Sequence, residues 1–235
     1  MIVDVEFYVN PGSSNLDELV KMERDAGIDK VILMPEPKLR PNNAGMRAEA
    51  DQIEMFLLCA SVNPSLGKES LEEFEKAITE WGFRGLKLMP PKHGYRIVDE
   101  IVYPFLEKAT ELKVPVSIHS GQEQCHPADI GFMALEFPEI PFIMDHMGYR
   151  YYVRQALLAA KHAKNLYLAT TAVPEPGFIK SAVKKLGPER VVFGSNGPMM
   201  PPDIQLEVVR RVGLNPDDEA LVLGGNAARL YGIDR

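Results

Sequence analysis

The chain has 235 residues, enough for one α/β barrel, which usually needs about 200–250 residues. Of these, 46% are hydrophobic and 25% charged, as in ordinary globular proteins. The formal net charge of −7 argues against nucleic acid or an anionic membrane as a partner, because both are negatively charged. The first apolar run contains Asp4 and Glu6, so it predicts neither a signal peptide nor a transmembrane helix, and we expect a cytoplasmic protein.

The two cysteines lie in different settings. Cys59 falls inside an apolar run over 55–62, whereas Cys125 stands beside His126 in a predicted loop. Two cysteines in such different settings do not imply a disulfide framework, and they fit a reducing compartment.

Apolar runs rich in β-branched residues alternate with segments of helical periodicity along the whole chain. The spacing of about 24–30 residues between the runs suits one strand and one helix per unit. Eight such units predict an α/β fold, a single-domain TIM (β/α)8 barrel over residues 1–235, with a doubly wound open sheet as the alternative. The predicted strands start near residues 2, 30, 55, 85, 114, 141, 166 and 191. The predicted helices cover 15–26, 46–53, 69–81, 100–112, 127–137, 149–163, 176–186 and 202–212, and a last segment over 217–231 is broken at 224–226.

Three predicted strands end in one pattern, an apolar run followed by a polar residue and a turn glycine. The polar residues are His119, His146 and Asn196. Because the carboxyl ends of parallel strands meet at one mouth of a barrel, the pattern indicates an active site there. The alternatives are histidines bonded to backbone carbonyls and an asparagine that only forms the turn before Gly197.

The first and fourth predicted strands add polar side chains to the same mouth. Glu6 and Tyr8 are two residues apart and therefore face the same way on a strand, and Lys87 interrupts an apolar strand. Glu6, His119 and His146 form a possible zinc ligand set of the His2Glu type, in which the metal would activate a bound water. In the alternative, Glu6 pairs with Lys87 inside the barrel, since a buried carboxylate needs a partner. Tyr8 can equally be a packing residue with its hydroxyl at the rim.

The order of these motifs resembles a known family. The chain is similar to the amidohydrolase superfamily, and in particular to the amidohydrolase-related branch that holds aminocarboxymuconate-semialdehyde decarboxylase and pyrone-dicarboxylate lactonase. The resemblance implies a TIM barrel, an enzyme, and a divalent metal, zinc or another such as manganese, at the strand ends. It rests on six segments that run in the family's order, namely 2–8, 82–90, 115–121, 145–148, 192–198 and 225–230.

The chain departs from the family at three expected ligand positions. The family opens with His-x-His, where this chain has Glu6 and Tyr8, and it ends with an aspartate, where this chain has Asn196. Glutamate at the first position is similar to the resorcylate-type decarboxylases, where it binds metal. By resemblance, His119 is a metal ligand and His146 is the acid or base beside the metal. Asn196 takes the catalytic position of the aspartate, although an amide cannot act as a carboxylate base.

The leading hypothesis is a metal-assisted hydrolase of a small carboxylated substrate, such as a lactone or an amide. Glu6 and His119 would hold the metal with or without His146, which would move protons. The alternatives are a non-oxidative decarboxylase and a barrel that has lost catalysis and binds a ligand or partner. The branch often forms oligomers, so a homo-oligomer is an expectation from the resemblance. The residues expected to contact the substrate are Tyr8, Lys87 and Arg150.

Overall fold

The computed structural model describes residues 1–233, in which parallel strands alternate with helices. The strands are β1 (Val3–Val9), β2 (Lys30–Pro35), β3 (Phe56–Leu58), β4 (Ala60–Val62), β5 (Leu86–Leu88), β6 (Val116–Ile118), β7 (Phe142–Met144), β8 (Leu166–Ala169) and β9 (Val191–Val192). The α-helices are α1 (Leu16–Asp25), α2 (Asn43–Ala50), α3 (Lys68–Thr79), α4 (Pro90–His93), α5 (Tyr103–Leu112), α6 (Pro127–Glu136), α7 (Val153–His162), α8 (Pro176–Leu186), α9 (Pro202–Arg210), α10 (Pro216–Ala220) and α11 (Asn226–Tyr231).

The strands close into a barrel. β1, β2 and β3 pair in one parallel sheet, and β4 to β9 pair in sequence order in another. The N–H of Tyr8 donates to the carbonyl of Gly197 at 2.8 Å and the N–H of Val5 donates to that of Phe193 at 3.2 Å, which joins β1 to the segment after β9. The predicted TIM barrel is therefore confirmed.

One predicted strand is split. The run over 55–62 forms β3 and β4, with Cys59 between them. The N–H of Cys59 donates to Leu33 of β2, whereas the N–H of Ala60 donates to Gly85 beside β5. The two short strands thus occupy one position of the barrel, with β3 bound to one neighbour and β4 to the other.

The bounds of the helices differ from the predictions where the backbone dihedral angles leave the right-handed helical region. The helix predicted over 149–163 begins only at Val153, because His146, Met147 and Tyr149 all have positive φ angles. The segment before the helix predicted over 100–112 contains the short helix α4. The last segment is broken as expected, since a π-helical turn over Leu221–Gly225 separates α10 from α11.

The apolar core has two parts. The larger lies between the strands and the surrounding helices and includes Val31, Leu33 and Phe74. The smaller fills the barrel interior with Ile32 and Met34 and with residues of β7 to β9. Since alternate residues of β2 face the two parts, both faces of the sheet are apolar, as expected for a parallel barrel.

Within residues 1–233, no helix combines the length and the apolar character needed to cross a bilayer.

Candidate active site at the barrel mouth

A register shift in β1 brings Glu6 into the barrel. Asp4 pairs with Val31 and Tyr8 pairs with Met34, with the shift between Asp4 and Phe7. Val31 and Met34 are three residues apart and therefore face opposite sides of β2, so Asp4 and Tyr8 also face opposite sides. Period-two alternation without this irregularity would have placed the two side chains on the same face.

Asp4 holds this irregular segment in place. Its Oδ1 accepts hydrogen bonds from the backbone N–H of Glu6 at 3.1 Å and of Ser195 at 2.9 Å. The Asp4 side chain is fully buried. It therefore ties the site strand β1 to the loop after β9.

An ion-pair network occupies the barrel beneath the mouth. Lys87 Nζ donates to Glu6 Oε1 at 2.6 Å, to Ser117 Oγ at 3.3 Å, and to the Asp145 carboxylate. Ser117 Oγ donates in turn to Asp145, and Tyr8 OH donates to Glu6 Oε1 at 2.7 Å. The charged side chains of this network are fully buried. The sequence alternative of a Glu6–Lys87 pair is thus the arrangement observed.

Burial and mutual attraction set the charges of this network. Burial opposes ionisation of Glu6, but the charges of Lys87 and His146 and the hydrogen bonds from Lys87 and Tyr8 together outweigh it and lower the pKa of Glu6 to about 2. Burial and the Glu6 charge raise the pKa of Asp145 to about 6. Burial by itself would lower the pKa of Lys87, yet the Asp145 and Glu6 carboxylates hold it well above its usual value. At pH 7 the network therefore contains one ammonium between two carboxylates.

The two predicted histidines meet directly. His146 Nε2 lies 2.9 Å from His119 Nδ1, and His146 Nδ1 lies 2.9 Å from the carbonyl oxygen of Thr171. A carbonyl only accepts hydrogen bonds, so His146 carries a proton on Nδ1. With both rings neutral, His119 donates from Nδ1 to His146 Nε2, and His119 Nε2 is left as a base. The Glu6 carboxylate lies 4.0 Å from His146 Nδ1.

Local backbone geometry places these rings. His146 has φ of 63°, and its N–H donates to Thr171 Oγ1 at 2.9 Å. This turn points the His146 ring toward His119 rather than along the helix that follows. Burial, followed by the charges of His146 and Lys87, holds the pKa of His119 well below its usual value, so His119 is neutral at pH 7.

The remaining predicted site residues are distributed differently. Asn196 has φ of 75°, and its backbone N–H donates to the carbonyl of Glu6 at 3.1 Å, so it joins the mouth at least through its main chain. Arg150 is exposed in the loop after β7. Its neighbour Tyr149 has its ring centroid 6.2 Å from that of His146. The structure therefore brings Glu6, Tyr8, Lys87, His119 and His146 together and leaves Arg150 at the surface.

Four residues of the site were not predicted from the sequence. Ser117 stands opposite Lys87 in the register of β5 and β6, and Asp145 precedes His146 directly. Thr171 holds the His146 ring, and Lys92 in α4 contributes a positive charge that acts on His119. The sequence did carry a signal for Asp145, since it is a carboxylate at the end of an apolar strand. The other three depend on which strands and loops become neighbours.

The predicted metal ligands are not assembled as a metal site. Among residues 1–233 there is no group of three or more His, Cys, Asp or Glu side chains arranged to hold an ion. Glu6 Oε1 is taken by Lys87 and Tyr8, and the histidine rings bind each other. Among the predicted ligands, Glu6 Oε2 and His119 Nε2 have no hydrogen-bond partner in the described part of the chain, and these two atoms are fewer than the three protein ligands of a catalytic zinc site. The residues present therefore do not fit a catalytic metal in this arrangement.

Comparison with known proteins gives a family and a common fold. The family model described as Amidohydrolase matches residues 9–233. A 2-keto-4-carboxy-3-hexenedioate hydratase from Sphingobium sp. strain SYK-6 is 29% identical over 163 residues, and the match covers 54% of this chain and 47% of that protein. The match thus spans about half the length of this curated relative.

Two solved structures share the fold over their full lengths. The 5-carboxyvanillate decarboxylase from Sphingomonas paucimobilis has a TM-score of 0.82 at 16% identity, covering 99% of each chain. A dihydroxybenzoic acid decarboxylase from Polaromonas sp. JS666, with bound manganese and the inhibitor 2-nitroresorcinol, has a TM-score of 0.79 at 16% identity. The match covers 100% of this chain and 97% of the decarboxylase chain. At these identities the likeness shows the barrel fold.

Proposed function

Because the chain belongs to the amidohydrolase family, a family of enzymes, we propose that it acts on a small carboxylated substrate with His119 and His146 as its proton-transfer pair. The observation that carries the proposal is the 2.9 Å contact between the two rings, with the His146 tautomer fixed by the Thr171 carbonyl. Paired proton carriers at a barrel mouth suit acid–base catalysis.

The pair is prepared to act as a base on water. His119 Nε2 takes a proton from water, and the proton on His119 Nδ1 moves to His146 Nε2. The resulting imidazolium of His146 is stabilised by the Thr171 carbonyl and by the Glu6 carboxylate at 4.0 Å. The pair can therefore hold a positive charge although it is buried.

The favoured reaction is addition of water, as in hydrolysis of a lactone or an amide. The water oxygen forms a bond to the carbonyl carbon, the bond to the leaving oxygen or nitrogen breaks, and the leaving group receives the proton held by the histidines. Water addition to a carbon–carbon double bond uses the same base, in keeping with the hydratase name of the 29% identical relative. Arg150 and Lys92, both exposed, are the proposed partners of the substrate carboxylate, because Lys87 is already paired inside the barrel.

Non-oxidative decarboxylation is the second candidate, favoured by the decarboxylases among the structural neighbours. A substrate carboxylate beside His119 would stabilise its imidazolium. The pair would then deliver a proton to carbon while the carbon–carboxylate bond breaks and carbon dioxide leaves. A barrel without catalysis is the remaining alternative.

Product analysis separates the candidates. Purified protein is incubated with carboxylated lactones, amides, unsaturated acids and hydroxybenzoic acids, and both released carbon dioxide and hydrated or ring-opened acid are measured. Replacement of His146 by Asn should reduce turnover by about 10²–10⁴-fold, because an acid–base group is lost. The same substitution at the exposed His162 at the end of α7 is the matched control and should leave turnover unchanged.

Four results bear on the proposal. Hydrated or ring-opened acid supports water addition, and carbon dioxide supports the decarboxylase candidate. Turnover that survives in His146→Asn would contradict proton transfer by the pair. A substrate analogue that binds equally well to the wild type and to His146→Asn, with no turnover of any substrate, would indicate a barrel without catalysis.

A further inference from the structure

The ammonium of Lys87 has the hydrogen-bonding environment of a bound cation. Its N–H groups, three in a protonated lysine, face three oxygen acceptors, on Glu6, Asp145 and Ser117. Ser117 gives its own proton to the Asp145 carboxylate, at 2.9 Å from Oδ2, and therefore presents a lone pair to Lys87. Every donor of the ammonium is thereby satisfied without water.

Lys87 binds the carboxylate of Glu6, which is a predicted metal ligand, together with the carboxylate of Asp145. Carboxylates of Glu6 and Asp145 are hard anionic ligands suited to manganese or zinc. In this chain they are bridged by a positive charge supplied from β5, and all three side chains have no exposed area. An ion could enter between them only by displacing the ammonium, which leaves a buried charge unpaired at high cost.

We propose that Lys87 is a built-in cation that binds Glu6 and Asp145 in place of a divalent metal, so that the site is complete without a metal ion. The ammonium keeps Glu6 ionised beside His146 and holds Asp145 in position at the end of β7. Lys87 is then a positioning residue, because its contacts are with other site residues. This inference does not depend on the reaction catalysed, since it is tested by metal binding.

The test removes the ammonium and measures affinity for metal. Wild type, Lys87→Ala and Lys87→Ala/Asp145→Asn are dialysed against chelator and titrated with manganese and with zinc by calorimetry, with metal content measured by mass spectrometry. We expect no stoichiometric binding by the wild type. Lys87→Ala should bind about one ion per chain roughly 100-fold more tightly, because two carboxylates become free, and the double variant should lose most of that gain.

A surface lysine provides the matched control. On α1, Lys21 Nζ lies 2.5 Å from Asp25 Oδ2, and both side chains are exposed. Lys21→Ala also frees a carboxylate from an ammonium, but it opens no enclosed space between two such groups. We expect its metal titration to match that of the wild type.

Either of two results would overturn the inference. One is wild-type protein that carries, or takes up after dialysis, about one equivalent of metal that His119→Ala removes. The other is a folded Lys87→Ala that binds metal no more tightly than the wild type. If Lys87→Ala folds only when metal is present, the metal-dependent rise in Tm is itself a supporting result, since metal then replaces the missing charge.

Discussion

The protonation state of His119 follows from its surroundings. Burial disfavours the charged ring, and the charges of His146, Lys87 and, to a smaller extent, Lys92 act in the same direction. The Glu6 carboxylate opposes them, with a smaller effect than that of His146 or Lys87. A neutral His119 is what a base at pH 7 requires.

His119 should titrate below the usual range of a histidine. Its pKa should lie below the ordinary value of about 6.5, and an NMR titration of the ring protons measures it without a substrate. Lys92→Met should raise this pKa slightly, because a screened surface charge is removed. The acid limb of kcat/KM should follow the same shift. A His119 that titrates at or above 6.5 would contradict the assignment of this ring as the resting base.

At the scale of the element, β1 determines the site through its irregularity. Glu6 and Tyr8 share a face and are hydrogen-bonded, as alternation predicts, whereas Asp4 lies on the opposite face from Tyr8. Asp4 accepts hydrogen bonds from the N–H of Glu6, inside the register shift, and from the N–H of Ser195, in the segment after β9. A buried acceptor that serves two donors stabilises the bulge more than a single surface hydrogen bond would.

Substitutions at Asp4 should distinguish how much its hydrogen bonds and how much its charge contribute to the stability of the fold. Asp4→Ala leaves the N–H groups of Glu6 and Ser195 unpaired, and we expect a loss of about 2–4 kcal/mol in the free energy of unfolding. Asp4→Asn keeps an acceptor oxygen and should lose clearly less. Urea unfolding at pH 7 measures both. Equal losses in the two variants would show that the carboxylate acts through its charge and not through these two hydrogen bonds.

At the scale of the whole molecule, several buried carboxyl groups weaken the fold as pH rises. Glu23 on α1 is buried, and neither of its carboxylate oxygens has a hydrogen-bond partner in the described residues. Burial and the nearby Asp4 raise the pKa of Glu23 to about 9, and burial raises that of Asp4 to about 6. The folded protein therefore binds more protons than the unfolded chain above pH 4.5, and unfolding releases them.

Glu23→Gln should change how the stability of the fold depends on pH. In the wild type, the contribution of neutral Glu23 to the free energy of unfolding is complete below pH 4.5. It is lost as pH rises toward the raised pKa of about 9, at up to roughly 1.4 kcal/mol per pH unit. Glutamine does not titrate, so the variant should show a flatter profile and be more stable than the wild type at pH 8–9. Unfolding free energies measured by urea from pH 5 to 9 test this. Parallel profiles for the two proteins would contradict a raised pKa at Glu23.

The sequence by itself determined the barrel and the main participants of the site. Strand and helix periods are local properties, so eight βα units could be counted from the chain. Because the carboxyl ends of parallel barrel strands meet at one mouth, Glu6, His119 and His146 were expected to lie together, and the structure brings them together. What it could not determine was which of these charged and polar groups would bind one another.

Tertiary structure decided that question. Whether Glu6 binds a metal or Lys87 depends on distances between β1, β5 and β7, which no local pattern encodes, and the structure places the ammonium between Glu6 and Asp145. The split at Cys59 and the bulge in β1 are likewise set by neighbouring strands. Pairing energies of buried groups depend steeply on separation and burial, so the chemistry of this mouth is fixed only once the barrel has closed.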